Sequence, residues 1–210
     1  IAADARYRNV LVLGGYAMSK HLNQADKKTV TLFADGAGAV LLRAEDGSRG
    51  FRAARMHTEG QYHDWMGIYA GGTRRPTTPE VLAESAHQLV FAKKFPKEVN
   101  PLHWTAMVRG LCGELGLSPR DVDHYVFTQL NINSIHETLD NLEVPRERGH
   151  TVMDRFGYTG SACIPMAFDD LVAGGGRGIA QVWGQMSELD PAFLRQDGGA
   201  LGFRRLADRV

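Results

Sequence analysis

Two short stretches decide how this chain is read: Tyr125-Val126-Phe127-Thr128-Gln129-Leu130-Asn131, and Arg155-Phe156-Gly157-Tyr158-Thr159-Gly160-Ser161-Ala162-Cys163-Ile164-Pro165. The first begins in an apolar, β-rich run over 124–127, turns polar, and opens a helix at Asn131. The second is a tight, glycine-rich turn that leads into another helix. Two strand-to-helix corners of this kind, set side by side in a sheet, aim side chains and helix N-termini at one point above the strand ends. That is a usual place for α/β chemistry.

The neighbouring segments supply the rest of such a sheet. A helix is predicted over 101–115, closed by Gly116, and Ser118-Pro119-Arg120-Asp121 starts the turn into the strand at His124. Residues 131–142 predict a helix with Ile132, Ile135, Leu139 and Leu142 on one face. Residues 148–153 predict a strand, and 161–173 a helix starting near Pro165 and closed by Gly174-Gly175-Gly176. Earlier, 1–7 reads as the tail of a helix. Residues 8–15 read as a buried strand of the parallel type, 29–36 and 37–42 as two more strands with Asp35-Gly36 as a turn, and 51–56 as another. A long loop over 58–78 carries Tyr62, Trp65, Met66 and Tyr69, and 78–95 predicts a helix with Pro79 in its first turn and Lys93-Lys94 at its end.

Composition narrows the function classes. The chain has 210 residues, a formal net charge of zero and 43% hydrophobic content, enough for one substantial core. Charge balance removes the electrostatic argument for nucleic acid, and no apolar run reaches the length of a membrane span. Cys112 and Cys163 are the only cysteines and read as reduced thiols of a cytoplasmic protein. Gly36-Ala37-Gly38 does not make a nucleotide loop, because Ala39-Val40-Leu41-Leu42 continues as strand where a helix is needed. His57, His63 and Asp64 lack a third ligand at diagnostic spacing, so no metal is expected.

The two corners resemble the ketoacyl-acyl carrier protein synthase III family of the thiolase superfamily. Members read His-Gln-Ala-Asn at the first corner and Tyr-Gly-Asn-Thr-Ser-Ala-Ala-Ser-Ile-Pro at the second. The family His falls on Thr128, with Gln129 and Asn131 kept; the catalytic Asn falls on Tyr158, with Gly157, Thr159, Ala162, Ile164 and Pro165 kept. Leu32-Phe33-Ala34-Asp35-Gly36-Ala37-Gly38-Ala39-Val40 is similar to the family's Leu-Phe-Gly-Asp-Gly-Ala-Gly-Ala-Val, and Asp26-Lys27 to its Asp-Arg.

The resemblance implies a layered αβαβα fold of two similar halves, with 1–46 ending the first and 47–210 forming the second, atypical after about 177. It also implies a dimer, with a second copy or with a related subunit. The family's nucleophilic cysteine would lie upstream of Ile1, so the sequence reads as part of a longer protein. The activity implied is acyl transfer or condensation on coenzyme A thioesters in fatty acid or secondary metabolism, with coenzyme A as substrate carrier and no permanently bound cofactor. Site residues implied are Thr128, Asn131 and Tyr158, with Lys27 toward coenzyme A. An acyl carrier protein is a further implied partner. The family docks it on basic side chains of the helix after the first corner, where this chain has Asn133, Asp140 and Asn141.

Thr128 and Tyr158 keep a hydroxyl donor each, but a hydroxyl cannot replace imidazole in acid–base work near neutrality. The alternative is a catalytically inactive subunit that supports an active partner. Cys163, at a helix start, falls where the family has a small Ser and reads as a packed residue rather than a nucleophile. His124, His136 and His150 read as structural.

Overall fold

Strand β5 (His124–Val126) is central to a parallel three-stranded sheet of order β6-β5-β7, with β6 at Gly149–His150 and β7 at Ile179–Gln181. The computed structural model describes residues 6–44, 50–175 and the backbone of 179–181. The expected helix tail over 1–5, the junction at 45–48, the closing Gly176 and the chain from 182 onward lie outside the described residues.

Period-two alternation between two covered faces explains why the run from Tyr125 to Phe127 is apolar. Tyr125 and Phe127 face one core cluster, Val126 the other, and all three are fully buried. On the first side, helix α3 (Val99–Leu115) presents Trp104, Val108, Leu111 and Cys112, an i, i+4, i+7, i+8 stripe. Trp104 stacks on Phe127 with ring centroids 5.2 Å apart. Helix α4 (Ile132–Asn141) adds Ile135 and Leu139 to the same cluster. The Tyr125 hydroxyl donates to the Pro119 carbonyl at 2.7 Å, and burial pushes its phenol well above the ordinary range. On the second side, helix α6 (Cys163–Ala173) packs Ile164, Ala167, Phe168 and Leu171 against Val126 and Val152.

A separate antiparallel pair, β1 (Asn9–Tyr16) and β2 (Gly36–Arg43), lies across α6 and the turn before it, in the register Asn9↔Arg43 to Tyr16↔Gly36. The expectation of a buried, parallel-type strand at 8–15 is corrected here. β1 is antiparallel and only one face is covered, so Leu11 and Leu13 stand exposed.

Three further expectations fail for local reasons. Residues 29–36 are not a strand: Asp26 caps a helical turn, α1 (Lys27–Val30), by accepting from the Lys28 N–H at 3.0 Å, and Thr29 bonds back to Asp26. Before β2 begins at Gly36, only Phe33 pairs in β fashion, as a single parallel bridge to Tyr158. The helix over 78–95 stops after α2 (Pro79–Ala83), because Ser85 takes a left-handed φ of 56° and the chain turns into β4 (Val90–Phe91), paired with β3 (Met66–Gly67). Residues 51–56 do not form the expected strand, and the 148–153 strand shrinks to β6 before α5 (Met153–Phe156) begins. Conversely, the atypical sequence after 177 still supplies β7, parallel to β5. Among the described residues no helix is long and apolar enough to cross a membrane.

Candidate functional site

The first corner is held by a glutamine. Phe127, Thr128 and Gln129 leave β5 buried, and the Gln129 carboxamide uses both its donor and acceptor ends. Its Nε2 donates to the Phe127 carbonyl at 2.9 Å and the His150 carbonyl at 3.2 Å, while its Oε1 accepts from the Val152 N–H at 2.8 Å. The corner is thereby fastened to the segment following β6. Thr128 is 1% exposed. Asn131 lies at the surface and acts as the N-cap of α4, its Oδ1 accepting from the Asn133 N–H at 3.0 Å.

The second corner is pressed against the β1–β2 pair. The Tyr158 carbonyl accepts from the Ala34 N–H at 2.8 Å, and its ring, 6% exposed, packs on Phe33 at 5.6 Å and on Tyr16 at 6.3 Å between centroids. Gly160, with φ of 50°, lies directly under the Tyr16 ring, so that any side chain there would collide with it. Ser161 Oγ donates to the Gly15 carbonyl at 3.0 Å. A Cβ on Gly14 would stand 2.2 Å from the Ser161 carbonyl oxygen, so the end of β1 can meet the corner only as glycine.

The structure brings Tyr158, Cys163, Val126 and the partly buried Tyr16 and Leu130 into one packed cluster, and Thr128 enters the corner bordering it. Lys27 stands apart from these, exposed in the first turn of α1. Cys163 is 1% exposed, at the first position of α6 and walled by packed neighbours, which is a poor position for a nucleophile.

Tyr16 was not among the expected site residues. Burial, followed by the proximity of Cys163 and Asp35, pushes its phenol up to about 12, so it stays a neutral hydroxyl at physiological pH. Its sequence signal is weak: an aromatic after two glycines at a strand end, far along the chain from the corner it covers. Chemically, the arrangement offers hydroxyl groups where charge can be met by hydrogen bonding, but no imidazole at either corner. His150, whose carbonyl meets Gln129, has its Nε2 2.9 Å from Asp170, which also takes Arg155 at 2.7 Å.

His63 and Asp64 do not form a metal cluster with His57. His63 turns its Nδ1 to the Gly60 carbonyl at 3.1 Å, and Asp64 pairs with Lys93 at 3.2 Å.

Residues 1–60 match the family model of 3-oxoacyl-[acyl-carrier-protein] synthase III, and residues 112–178 match the model of its C-terminal domain. The acetoacetyl CoA synthase NphT7 of Streptomyces sp. (strain CL190) is 32% identical over 179 residues, 83% of this chain and 54% of that protein. The beta-ketoacyl-[acyl-carrier-protein] synthase III of Roseiflexus sp. (strain RS-1) is 36% identical over 168 residues, 79% of this chain and 50% of that protein. The chain thus spans about half the length of the curated relatives it matches. Among solved structures, the 3-oxoacyl-(acyl carrier protein) synthase III of Pseudomonas aeruginosa PAO1 superimposes with a TM-score of 0.70 at 26% identity, over 84% of this chain and 54% of that one. Two ordered corner motifs, a thiolase-like α/β arrangement and these matches lead to one conclusion: the chain belongs to the 3-oxoacyl-[acyl-carrier-protein] synthase III family of the thiolase superfamily.

Proposed function

We propose that the protein carrying this chain transfers acyl groups from coenzyme A thioesters, through a cysteine outside this chain, to an acceptor that needs no loss of carbon dioxide. The observation that carries the reading is the pair of buried hydroxyl residues, Thr128 and Tyr158, standing where the family has imidazole and carboxamide. Decarboxylation of a malonyl thioester builds negative charge on an enolate oxygen and depends on strong donors at those two positions. Losing one good oxyanion donor costs on the order of 100- to 1,000-fold, and here both are exchanged for hydroxyls. Acylation of a cysteine needs neither.

The surface of α4 lacks the basic side chains on which the family docks a carrier protein, and this favours an acceptor that is not carried on one. Asp140 there is engaged by Arg146 through contacts of 2.9 and 2.6 Å, and no Lys or Arg lies within α4. The relative named acetoacetyl CoA synthase supports an acceptor on coenzyme A. Lys27, exposed on α1, is the residue we assign to the coenzyme A end of the donor. Two buried, reduced cysteines suit a cytoplasmic setting. We assign the working form as a dimer, with a second copy or a related subunit.

A second reading is favoured by one observation. The Tyr158 ring is enclosed by Phe33 and Tyr16, so it fills space that a substrate would need, as in an inactive subunit supporting an active partner. The test is intact-mass detection of the acyl-enzyme in the complete protein beside a labelled carbon dioxide assay, with Thr128→Ala and Tyr158→Phe as variants. Acyl-enzyme without carbon dioxide release is the expected result. Brisk release abolished by both substitutions would overturn it, and absence of any acyl-enzyme would select the inactive subunit.

A further inference from the structure

The segment after residue 50 runs beside α3, where side chains hold it. Ala53 packs on the α3–α4 core, and Arg55 pairs with Glu114. Two residues further on, the same alternation brings His57 onto His103 of α3, with ring centroids 4.2 Å apart and planes inclined by 26°. Glu59 reaches both rings: its Oε1 is 3.6 Å from His57 Nε2 and its Oε2 is 3.2 Å from His103 Nε2.

We propose that His57, Glu59 and His103 bind one divalent transition-metal ion, of which zinc is the best match. Two imidazole nitrogens and a carboxylate are a donor set zinc takes with a fourth position left for water. The ligand atoms all lie within 4.8 Å of one another. Tetrahedral ligands about 2.0–2.1 Å from zinc stand about 3.3 Å apart. The observed 3.2 and 3.6 Å, one to each oxygen of the Glu59 carboxylate, lie close to that separation. Nitrogen donors exclude magnesium and calcium, which take oxygen ligands.

The rings now lie too nearly parallel for both lone pairs to meet one ion, so each ring turns about Cβ–Cγ as the metal enters and the stack opens. Side-chain exposures of 22% for His103 and 24% for Glu59 leave a route for the ion while keeping both chains partly immobilised. The site lies in neither corner motif. Its role is to staple the 57–59 stretch to α3, the helix that walls the core beneath β5. Sequence spacing hides it, because His103 lies far along the chain from His57 and Glu59.

The experiment uses untagged full-length protein, stripped with chelator and then dialysed against zinc. Metal per chain is read by mass spectrometry and, with cobalt as the probe, by the visible bands of a tetrahedral site. Wild type is expected to hold one zinc per chain and to melt higher with it. His57→Ala, Glu59→Gln and His103→Ala each weaken binding by at least about tenfold, whereas His63→Ala binds as wild type. Melting in chelator checks folding of each variant, and Glu59→Gln, outside any helix or strand, keeps the test decisive if His103→Ala unfolds. Wild type that retains no zinc, or zinc held equally by the Glu59→Gln protein, would overturn the site.

Discussion

Gln129 shows how one side chain fixes a corner. Three hydrogen bonds leave its carboxamide, and the one accepted from the Val152 N–H lies in the buried interior between β5 and α5. Gln129→Leu keeps the volume but removes that acceptor. A buried N–H left unsatisfied costs about 1–3 kcal/mol. Chemical denaturation monitored by far-UV circular dichroism should register a loss of that size in the complete protein. An unchanged midpoint would mean that Val152 finds another partner and that the corner is held by packing alone. At this scale the site was partly legible. Gln129, Asn131 and the substitutions at Thr128 and Tyr158 stand in the sequence because corner motifs are local. The Tyr16 ring over Gly160 and the approach of His103 to His57 are not legible, since each joins residues that only the folded chain brings together.

Elements succeed or fail by whether their cause is local. The buried strand β5 and helices α3 and α4 follow from runs and stripes that burial on one or two faces imposes. Residues 29–36 mislead because Thr-Val-Thr-Leu-Phe has the composition of a strand, while the Asp26 cap decides the conformation. The corner before α6 depends on β1, and Gly14 is where the dependence can be measured. Gly14→Ala forces its new methyl onto the Ser161 carbonyl oxygen, an overpacking that costs about 1–3 kcal/mol. Gly15→Ala, with nothing within 4 Å of its Cβ, is the matched control. Equal melting temperatures for the two variants would refute the contact.

The link between α6 and β6 has a pH signature. Arg155 first, and then His150, hold the Asp170 carboxyl below the usual carboxylate range. A depressed carboxylate contributes stability that is complete above its unfolded value near 4 and is lost as pH falls through the folded value. The pair is partly exposed, so the contribution is about 1 kcal/mol at most. The difference in melting temperature between wild type and Asp170→Asn should therefore be present at pH 5 and shrink below pH 4. A difference that persists at pH 3 would assign the effect to packing instead.

At the scale of the molecule, the β1–β2 pair poses a burial problem. Its inner face lies on α6 and the turn before it, where Gly36 and Gly38 would crowd Thr159, Pro165 and Met166 if they carried side chains. Its outer face sets Leu11 opposite Leu41 and Leu13 opposite Ala39, and Leu13 is 70% exposed. Strands apolar on both faces belong in a layer covered from both sides, which is why 8–15 reads as a buried strand in the sequence. Among the described residues nothing lies on that outer face, and β1 pairs with β2 alone. An apolar face of this kind, flanked by open strand edges, drives association in water. The 210-residue chain expressed alone should therefore scatter light as concentration-dependent oligomers. Leu13→Lys combined with Leu41→Glu places opposite charges diagonally across the pair and should shift the distribution toward monomer without altering the far-UV spectrum. A monodisperse, monomeric wild-type chain would show that this face tolerates water, and the burial argument would fail.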